Sequence, residues 1–470
     1  MNKKNNKFLY ISISVAFIIG TILCIFFETE IFKFVLAKHY YFISIFLFAL
    51  SFFIVFKIIS KSKKQLLYPS LFLLFFFVSA PLLGMLNFKD FLRRHSDFFG
   101  RQIPPFDFPI FIWSVGMVCF FLGVLISHII IPSVNNRFIV IWKKRHLLLF
   151  LKLTLIFSVL ATFIAIYKIG YIPLLKENIS PERTGYVEIV GPLVYRFTGL
   201  WLVVGLLSSG LFFYERKKRK YIYLFLLAIS AIGKMLYAQR TGLVLLLFIF
   251  GLMYIKFYKI KISHVSLIGI FILFLIYILM VQGDYRSGRY SANISFKDRI
   301  IRDTFHEWGY YSIIVDETKI TSDYLGWKIF LGPFVTLIPR QVYTFFGYDK
   351  DELIENYSAV YYYGRQFNEP YGIRITPIGE AFAGYGIGGV IFQLFILGAL
   401  FGAIEKSYIK LRIQDARLYV ICFLFSLMLY MPICTLFMLL APLEGPGLFV
   451  FAYYIFGTRK YEIRNKTLKY

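Results

Sequence analysis

Long apolar runs recur along the whole chain, separated by short polar breaks, and this rhythm governs the reading of the rest. Most runs approach the roughly 20 residues that an α-helix needs to cross a hydrocarbon layer of about 30 Å. They predict membrane-spanning helices near 8–27, 41–60, 66–86, 109–131, 147–168, 193–213, 221–238, 241–256, 264–282, 386–404, 418–439 and 446–458. Segments 241–256 and 446–458 are short for a full crossing, and are expected to tilt, to sit in thinned bilayer or to re-enter. The first run follows Lys3, Lys4 and Lys7 as a signal peptide would. It lacks a small-residue cleavage site and is read as a retained helix.

Residues 283–385 break the rhythm. The expected organisation is 1–282 with helices one to nine, 283–385 as a large external loop, and 386–470 with helices ten to twelve and a tail. The loop is not low-complexity. It holds Trp308, Trp327, the tyrosines Tyr357, Tyr361, Tyr362 and Tyr363, and an apolar stretch from Ile329 to Ile338. That stretch is expected to pack on the membrane domain or dip into the interface. Short helices are expected here, since no alternation of period two argues for a sheet domain. A loop of this length in a compact protein usually carries function.

Composition sets the solvent. The chain is 59% hydrophobic and 20% aromatic with a mean hydropathy of +0.68, more apolar surface than a soluble domain can hide. In lipid the backbone must satisfy itself, so the expected class is an all-α polytopic membrane protein with about twelve transmembrane helices. The four cysteines (Cys24, Cys119, Cys422, Cys434) lie inside apolar runs, so neither a disulfide nor a metal is implied.

The formal net charge of +26 raises the question of nucleic acid. There is no RNA-binding signature, zinc spacing or soluble basic domain, so nucleic acid is not an expected partner. The charge follows topology instead. With both termini cytoplasmic, the inner pieces are 1–7, 57–64, 137–145, 215–220, 256–261, 406–417 and 459–470. They hold 28 of the 52 basic residues, 20 of them Lys, at every second connection. That alternation is the positive-inside pattern, and it puts residues 283–385 outside.

The informative cations are those the topology does not explain. The loop has 11 basic and 13 acidic residues, and its cations are mostly Arg: Arg286, Arg289, Arg299, Arg302, Arg340, Arg365 and Arg374. Arg196, Lys234 and Arg240 lie near outer helix ends. Guanidinium stays charged at low dielectric and grips phosphate or carboxylate in a planar fork. Pairing with the loop's acids or snorkelling to headgroups is the competing account, and is preferred for Arg299, Arg302, Lys319 and Lys328. Arg240, Arg340 and Arg374 sit at outer boundaries where a lipid pyrophosphate would lie, with Arg196, Arg286 and Arg289 as further candidates.

A second cluster is Thr376-Pro377-Ile378-Gly379-Glu380-Ala381-Phe382-Ala383-Gly384-Tyr385-Gly386-Ile387-Gly388-Gly389. Small residues permit close backbone approach where the chain re-enters the membrane. Glu380, near Arg374, either orients or deprotonates an acceptor hydroxyl or forms a structural ion pair; the sequence leaves both open. His306-Glu307 is a two-residue match, and Asp349-Lys350-Asp351 is the nearest approach to a metal-binding Asp-x-Asp. No P-loop, GxGxxG, GxSxG or HExxH occurs, so no cofactor and no metal are expected.

The long outer loop before the last helices, Arg240 at an outer turn, Ile338-Pro339-Arg340, and Pro377-Ile378-Gly379-Glu380 leading to Gly384-Tyr385-Gly386-Ile387-Gly388-Gly389 resemble the Wzy-type oligosaccharide repeat-unit polymerases, which build O-antigen and capsule. The resemblance covers the topology of nearly the whole chain, and in sequence only residues near 240, 338–340 and 374–389. It implies a metal-independent glycosyltransferase of the membrane-embedded, GT-C-like class in the bacterial inner membrane. Its substrate would be undecaprenyl-pyrophosphate-linked oligosaccharide of the lipopolysaccharide or capsule type, polymerised at the periplasmic face. It further implies that Arg240 and Arg340 hold the donor pyrophosphate, that Arg374 completes the clamp, and that Glu380 shapes the acceptor side. A polysaccharide chain-length regulator is a partner it would allow. An O-antigen ligase shares the topology; the loop lacks an evident His placed for the ligase pattern, but His306 keeps that alternative open. A flippase of lipid-linked repeat units is the third alternative, against which stands the absence of two similar halves.

Overall fold

The computed structural model describes residues 39–60, 69–70, 73–74, 77–81, 106–130, 138–176, 186–215, 220–236, 240–257, 307–322, 324–326, 329, 335, 338, 340–349, 352–353, 362–363, 375–411, 415–428 and 447–462. Among them the chain is mostly helical. In order the elements are α1 (Tyr40–Ser60), α2 (Asp107–Ile130), β1 (Phe138–Trp142), α3 (Lys144–Ile169), α4 (Tyr186–Val190), α5 (Pro192–Thr198), α6 (Trp201–Tyr214) and α7 (Lys220–Met235). There follow α8 (Arg240–Phe257), α9 (Glu307–Thr321), α10 (Arg340–Phe345), α11 (Pro377–Lys410), α12 (Arg417–Met428), α13 (Leu448–Gly457) and β2 (Thr458–Glu462).

Among the described residues, four stretches are long and apolar enough to cross a membrane: Asp107–Ile130, Lys144–Ile169, Leu193–Tyr214 and Pro377–Lys410. Tyr40–Phe56, Gly242–Phe257 and Arg417–Met428 are apolar but shorter. α3 turns Leu149, Leu153, Ile156, Leu160, Phe163 and Tyr167 outward, all exposed. Such a stripe on a helix this apolar has the composition of a lipid-facing surface. The expected spans 8–27 and 264–282 lie outside the described residues, as do most of 66–86 and the second half of 418–439.

The chain divides into two compact units, a packing division that does not follow the three sequence segments. The first comprises Met1–Ile129, Phe305–Gly332 and Glu355–Leu400. In it, α2 is buried on most of its surface, with Trp113, Phe120, Phe121 and Phe77 forming an aromatic core. The Trp113 indole donates to the Phe77 carbonyl at 2.7 Å. α2 meets α11 at glycines. A Cβ on Gly398 would stand 2.7 Å from the Phe120 carbonyl carbon, and one on Gly123 2.7 Å from the Ala399 nitrogen. Here the two backbones touch, as small residues allow in membrane helices.

The second unit comprises Ile130–Thr304, Pro333–Ile354 and Phe401–Tyr470. α6 is its buried centre, packed by α7 and α8. Gly233 leaves room for the Trp201 ring, and Gly205 faces Ser230 and Leu246. The Trp201 indole donates to the Thr162 hydroxyl at 2.9 Å, and the Ser230 hydroxyl donates to the Trp201 carbonyl. These bonds satisfy polar groups that lipid would not. At one end Lys144 pairs with Glu215 at 2.6 Å, and Lys256 donates to the Tyr408 and Ile409 carbonyls at 2.8 and 2.7 Å.

One element departs from an all-helical expectation. β1 and β2 pair antiparallel, from Phe138 opposite Glu462 to Trp142 opposite Thr458. Both strands lie in or beside pieces expected as basic connections. Their pairing joins residues more than 300 positions apart, and Ala416 donates its N–H to the Val140 carbonyl at 2.7 Å.

Candidate functional site

α11 starts at Pro377, nine residues before the expected re-entry at 386, and its first turn is assembled by Thr376. The Thr376 hydroxyl accepts the Gly379 N–H at 3.2 Å, and its carbonyl accepts the Glu380 N–H at 2.9 Å. Pro377 at the first helical position costs no hydrogen bond, and the Thr side chain satisfies one of the four orphan donors. Glu380 stands in that first turn, where a helix favours negative charge, and is 1% exposed.

Aromatic rings bank the turn. Gly379 admits the Tyr311 ring, since a Cβ there would lie 2.9 Å from Tyr311 Cδ2. The Tyr311 hydroxyl donates to the Pro109 carbonyl at 2.6 Å, and its ring meets Trp113 and Trp308 edge-on or tilted. Burial holds the Tyr311 phenol well above its ordinary pKa, so it remains a donor. Trp308 is buried, and its indole N–H has no acceptor among the described residues.

The same helix breaks at Tyr385 (φ −146°, ψ 27°) and Gly386 (φ 60°, ψ −145°), so Pro377–Gly384 is a short half-helix ahead of a long one. Its last carbonyls do not go unused. Ala383 and Gly384 accept the N–H groups of Leu325 and Gly326 at 2.9 and 3.0 Å. The Tyr324 ring lies against Gly386, whose positive φ and crowded Cβ position both require glycine. The glycine-rich run expected at the membrane entry is thus a built break.

The remaining candidates are placed as follows. Arg240 opens α8 and Arg340 opens α10; the positions of their side chains lie outside the described set. Arg196 is exposed on α5. Arg286, Arg289 and Arg374 lie outside the described residues, as does His306. Lys234 is buried near the end of α7, and its stem crosses the first turn of α8, with Cδ 2.9 Å from a Cβ at Gly242. This brings a second cation to the turn that starts at Arg240. No acidic residue occurs between Glu215 and Asp284 in sequence. Among the described residues no group of three His, Cys, Asp or Glu side chains converges.

Sequence reasoning did not single out Tyr311. Its i, i+3 spacing from Trp308 on one helix face is a signal, but its contact with Gly379 spans nearly seventy positions. No protein-family model, curated protein or solved structure matches this chain. Chemically, Glu380 is a carboxylate in a dry, aromatic setting, suited to accept a hydroxyl proton or to hold a cationic partner.

Proposed function

We propose that this chain is a metal-independent glycosyltransferase that polymerises undecaprenyl-pyrophosphate-linked oligosaccharide repeat units at the periplasmic face of the bacterial inner membrane. About twelve helices with both termini cytoplasmic would form its membrane domain. The single observation that supports this most is the burial of Glu380 in the first turn of a capped half-helix, inside the motif on which the resemblance rests.

In the proposed reaction the hydroxyl at the sugar end of one lipid-linked unit attacks the anomeric carbon of the growing glycan on another. The bond from that carbon to the pyrophosphate oxygen breaks, and the pyrophosphate departs on its lipid. Glu380 takes the hydroxyl proton. Arg240, Arg340 and Arg374, with Arg196, Arg286 and Arg289 as further contacts, neutralise charge that grows on the leaving group, the role a metal plays elsewhere.

The test is the surface glycan profile of cells that carry each variant. Arg240→Ala, Arg340→Ala and Glu380→Gln, at unchanged protein level, are expected to leave single repeat units on the acceptor. Long chains in all three would refute the assignment. Long chains that accumulate on the lipid carrier would point to a ligase instead.

A further inference from the structure

Ile338 and residues 340–349, in the second unit, form a small aromatic tip. α10 ends in a closed turn in which Tyr348 N–H donates to the Tyr343 carbonyl at 3.0 Å and Gly347 N–H to the Thr344 carbonyl at 3.1 Å. Gly347 at φ 76° completes this Schellman pattern, which fixes the turn. The Tyr343 hydroxyl donates to the Val335 carbonyl at 3.1 Å and ties the helix back to the chain before it. Burial moves the Tyr343 phenol upward, so it stays neutral in that bond.

A turn this well fixed nonetheless presents bare rings. Phe345, Phe346 and Tyr348 are 83%, 66% and 61% exposed, and Val342 and Ile338 are exposed beside them. Phe345 and Phe346 meet edge-on at 5.2 Å between centroids, a rigid pair. The degree of exposure matches that of Phe163 on the exposed apolar stripe of α3, at 69%. The patch ends sharply at Asp349, Lys350, Asp351 and Glu352, and Arg340 stands before it.

We infer that residues 338–348 are an interfacial anchor seated in the outer leaflet of the bilayer. Phe and Tyr rings flanked by charge on both sides are the composition of the membrane–water boundary. Apolar runs stand at both ends of the loop that carries the tip. Water is a poor environment for three adjacent rings, and the acidic residues after Tyr348 mark the depth at which insertion stops. Arg340 opens the same helix, about 7 to 8 Å of helical rise from Phe345, which sets its backbone at headgroup level. The anchor rests on the chain being a membrane protein and stands apart from the proposed reaction. For that reaction it supplies a reason why Arg340 meets a lipid phosphate.

The experiment uses the full chain with Cys24, Cys119, Cys422 and Cys434 replaced by Ala, reconstituted in vesicles of phosphatidylethanolamine and phosphatidylglycerol. A spin label is placed in turn at Phe346→Cys, at Asp349→Cys and, as a lipid reference, at Phe163→Cys. Phe345→Cys serves if the Phe346 variant fails to incorporate. Power saturation then compares access to oxygen, which partitions into lipid, with access to a water-soluble nickel chelate. The oxygen-to-nickel ratio at Phe346 is expected to match Phe163 and to exceed that at Asp349 several-fold. A Phe346 label as open to nickel as Asp349 would overturn the anchor. So would a label closed to both reagents, which would mean that protein covers the tip. Neither outcome reads glycan polymerisation, so a failure here is distinct from a failure of the proposed reaction.

Discussion

The contact between α2 and α11 gives a sharp test, because the same chemical change should act in opposite directions at two glycines on one helix. At Gly398 an added methyl would stand 2.7 Å from the Phe120 carbonyl carbon and 2.9 Å from its Cα. Ordinary carbon contacts lie near 3.5–4.0 Å, so the methyl intrudes by roughly 1 Å. The opposing atoms are backbone and cannot rotate aside, so the helices must part. Overpacking of this kind costs about 1–3 kcal/mol. Gly123 faces the same crossing, with its own Cβ 2.7 Å from the Ala399 nitrogen, so the two substitutions should cost less together than their sum. At Gly388, by contrast, an added Cβ meets nothing within 4 Å. There, Ala should stabilise by about 0.5–1 kcal/mol through reduced backbone freedom in the unfolded chain. The assay is thermal unfolding of the purified protein in detergent, read by tryptophan fluorescence, with buried Trp113 in the same unit as reporter. At about 2–4 °C per kcal/mol for a unit of roughly two hundred residues, Gly398→Ala should melt several degrees below the parent and Gly388→Ala slightly above it. If Gly398→Ala melts with Gly388→Ala, the close backbone contact is wrong.

Three further outcomes follow from the packing of the site and its supports. Thr376→Ala removes the side-chain cap of α11 and should cost about 1 kcal/mol by the same melt, whereas Thr376→Ser should recover most of it. Tyr311→Phe loses the bond to the Pro109 carbonyl, about 1 kcal/mol net. Because burial raises the Tyr311 phenol, its contribution is fully present below the ordinary tyrosine pKa of about 10 and is lost as pH rises above that. The parent should therefore lose its advantage over Tyr311→Phe only in strongly alkaline buffer, as a pH series of melts would show. Glu215→Gln breaks the Lys144 pair, but Lys144 is half exposed, so the cost should stay below about 1 kcal/mol and shrink with added salt.

The helices that could be read from sequence are those whose apolar run is bounded by charge. Tyr40–Ser60, Asp107–Ile130, Lys144–Ile169 and Arg240–Phe257 fall within a few residues of the expected spans, because hydrocarbon thickness and flanking cations fix such ends. The span expected at 193–213 is the stretch Leu193–Tyr214, but its tightening at Gly199 and Leu200, whose N–H groups reach back three residues to Arg196 and Phe197 while the backbone stays helical, was not legible. Nor was β1. Phe-Ile-Val-Ile-Trp is a continuous apolar stretch with no period of two, and its partner strand lies at the far end of the chain. At the site, glycine-rich spacing marked the region of Glu380 but not its burial. Burial depends on Tyr311 meeting Gly379, and on Leu325 and Gly326 capping the half-helix, which are long-range contacts that local pattern does not encode. The apolar stretch Ile329–Ile338 was expected either to pack or to dip. Its first residue is buried with Tyr310, Ile314 and Ala383, whereas its last is exposed.

The contacts of the second unit bear on the parity of the helices independently of any charge count. Lys144 meets Glu215, Lys143 meets Gly457, Val140 meets Ala416, and Lys256 meets Tyr408 and Ile409. Every residue in this group lies in or next to a piece that the Lys and Arg pattern puts on the cytoplasmic side. A second group joins the opposite ends of the same helices. Leu174 donates to the Leu236 carbonyl, Lys168 to that of Val190, and the Tyr171 and Tyr186 hydroxyls are hydrogen-bonded to each other. Between Lys144 and Glu215 the chain must therefore leave one end and return to it, and α3 followed by α5 and α6 does so. Between Glu215 and Lys256 the pair α7 and α8 does the same. If either α7 or α8 failed to run the full distance, Leu174 would not reach Leu236 while Lys256 reached Tyr408. The short helix α8 thus runs end to end beside the long ones, and Arg240 at its start is held at the end opposite the basic connections.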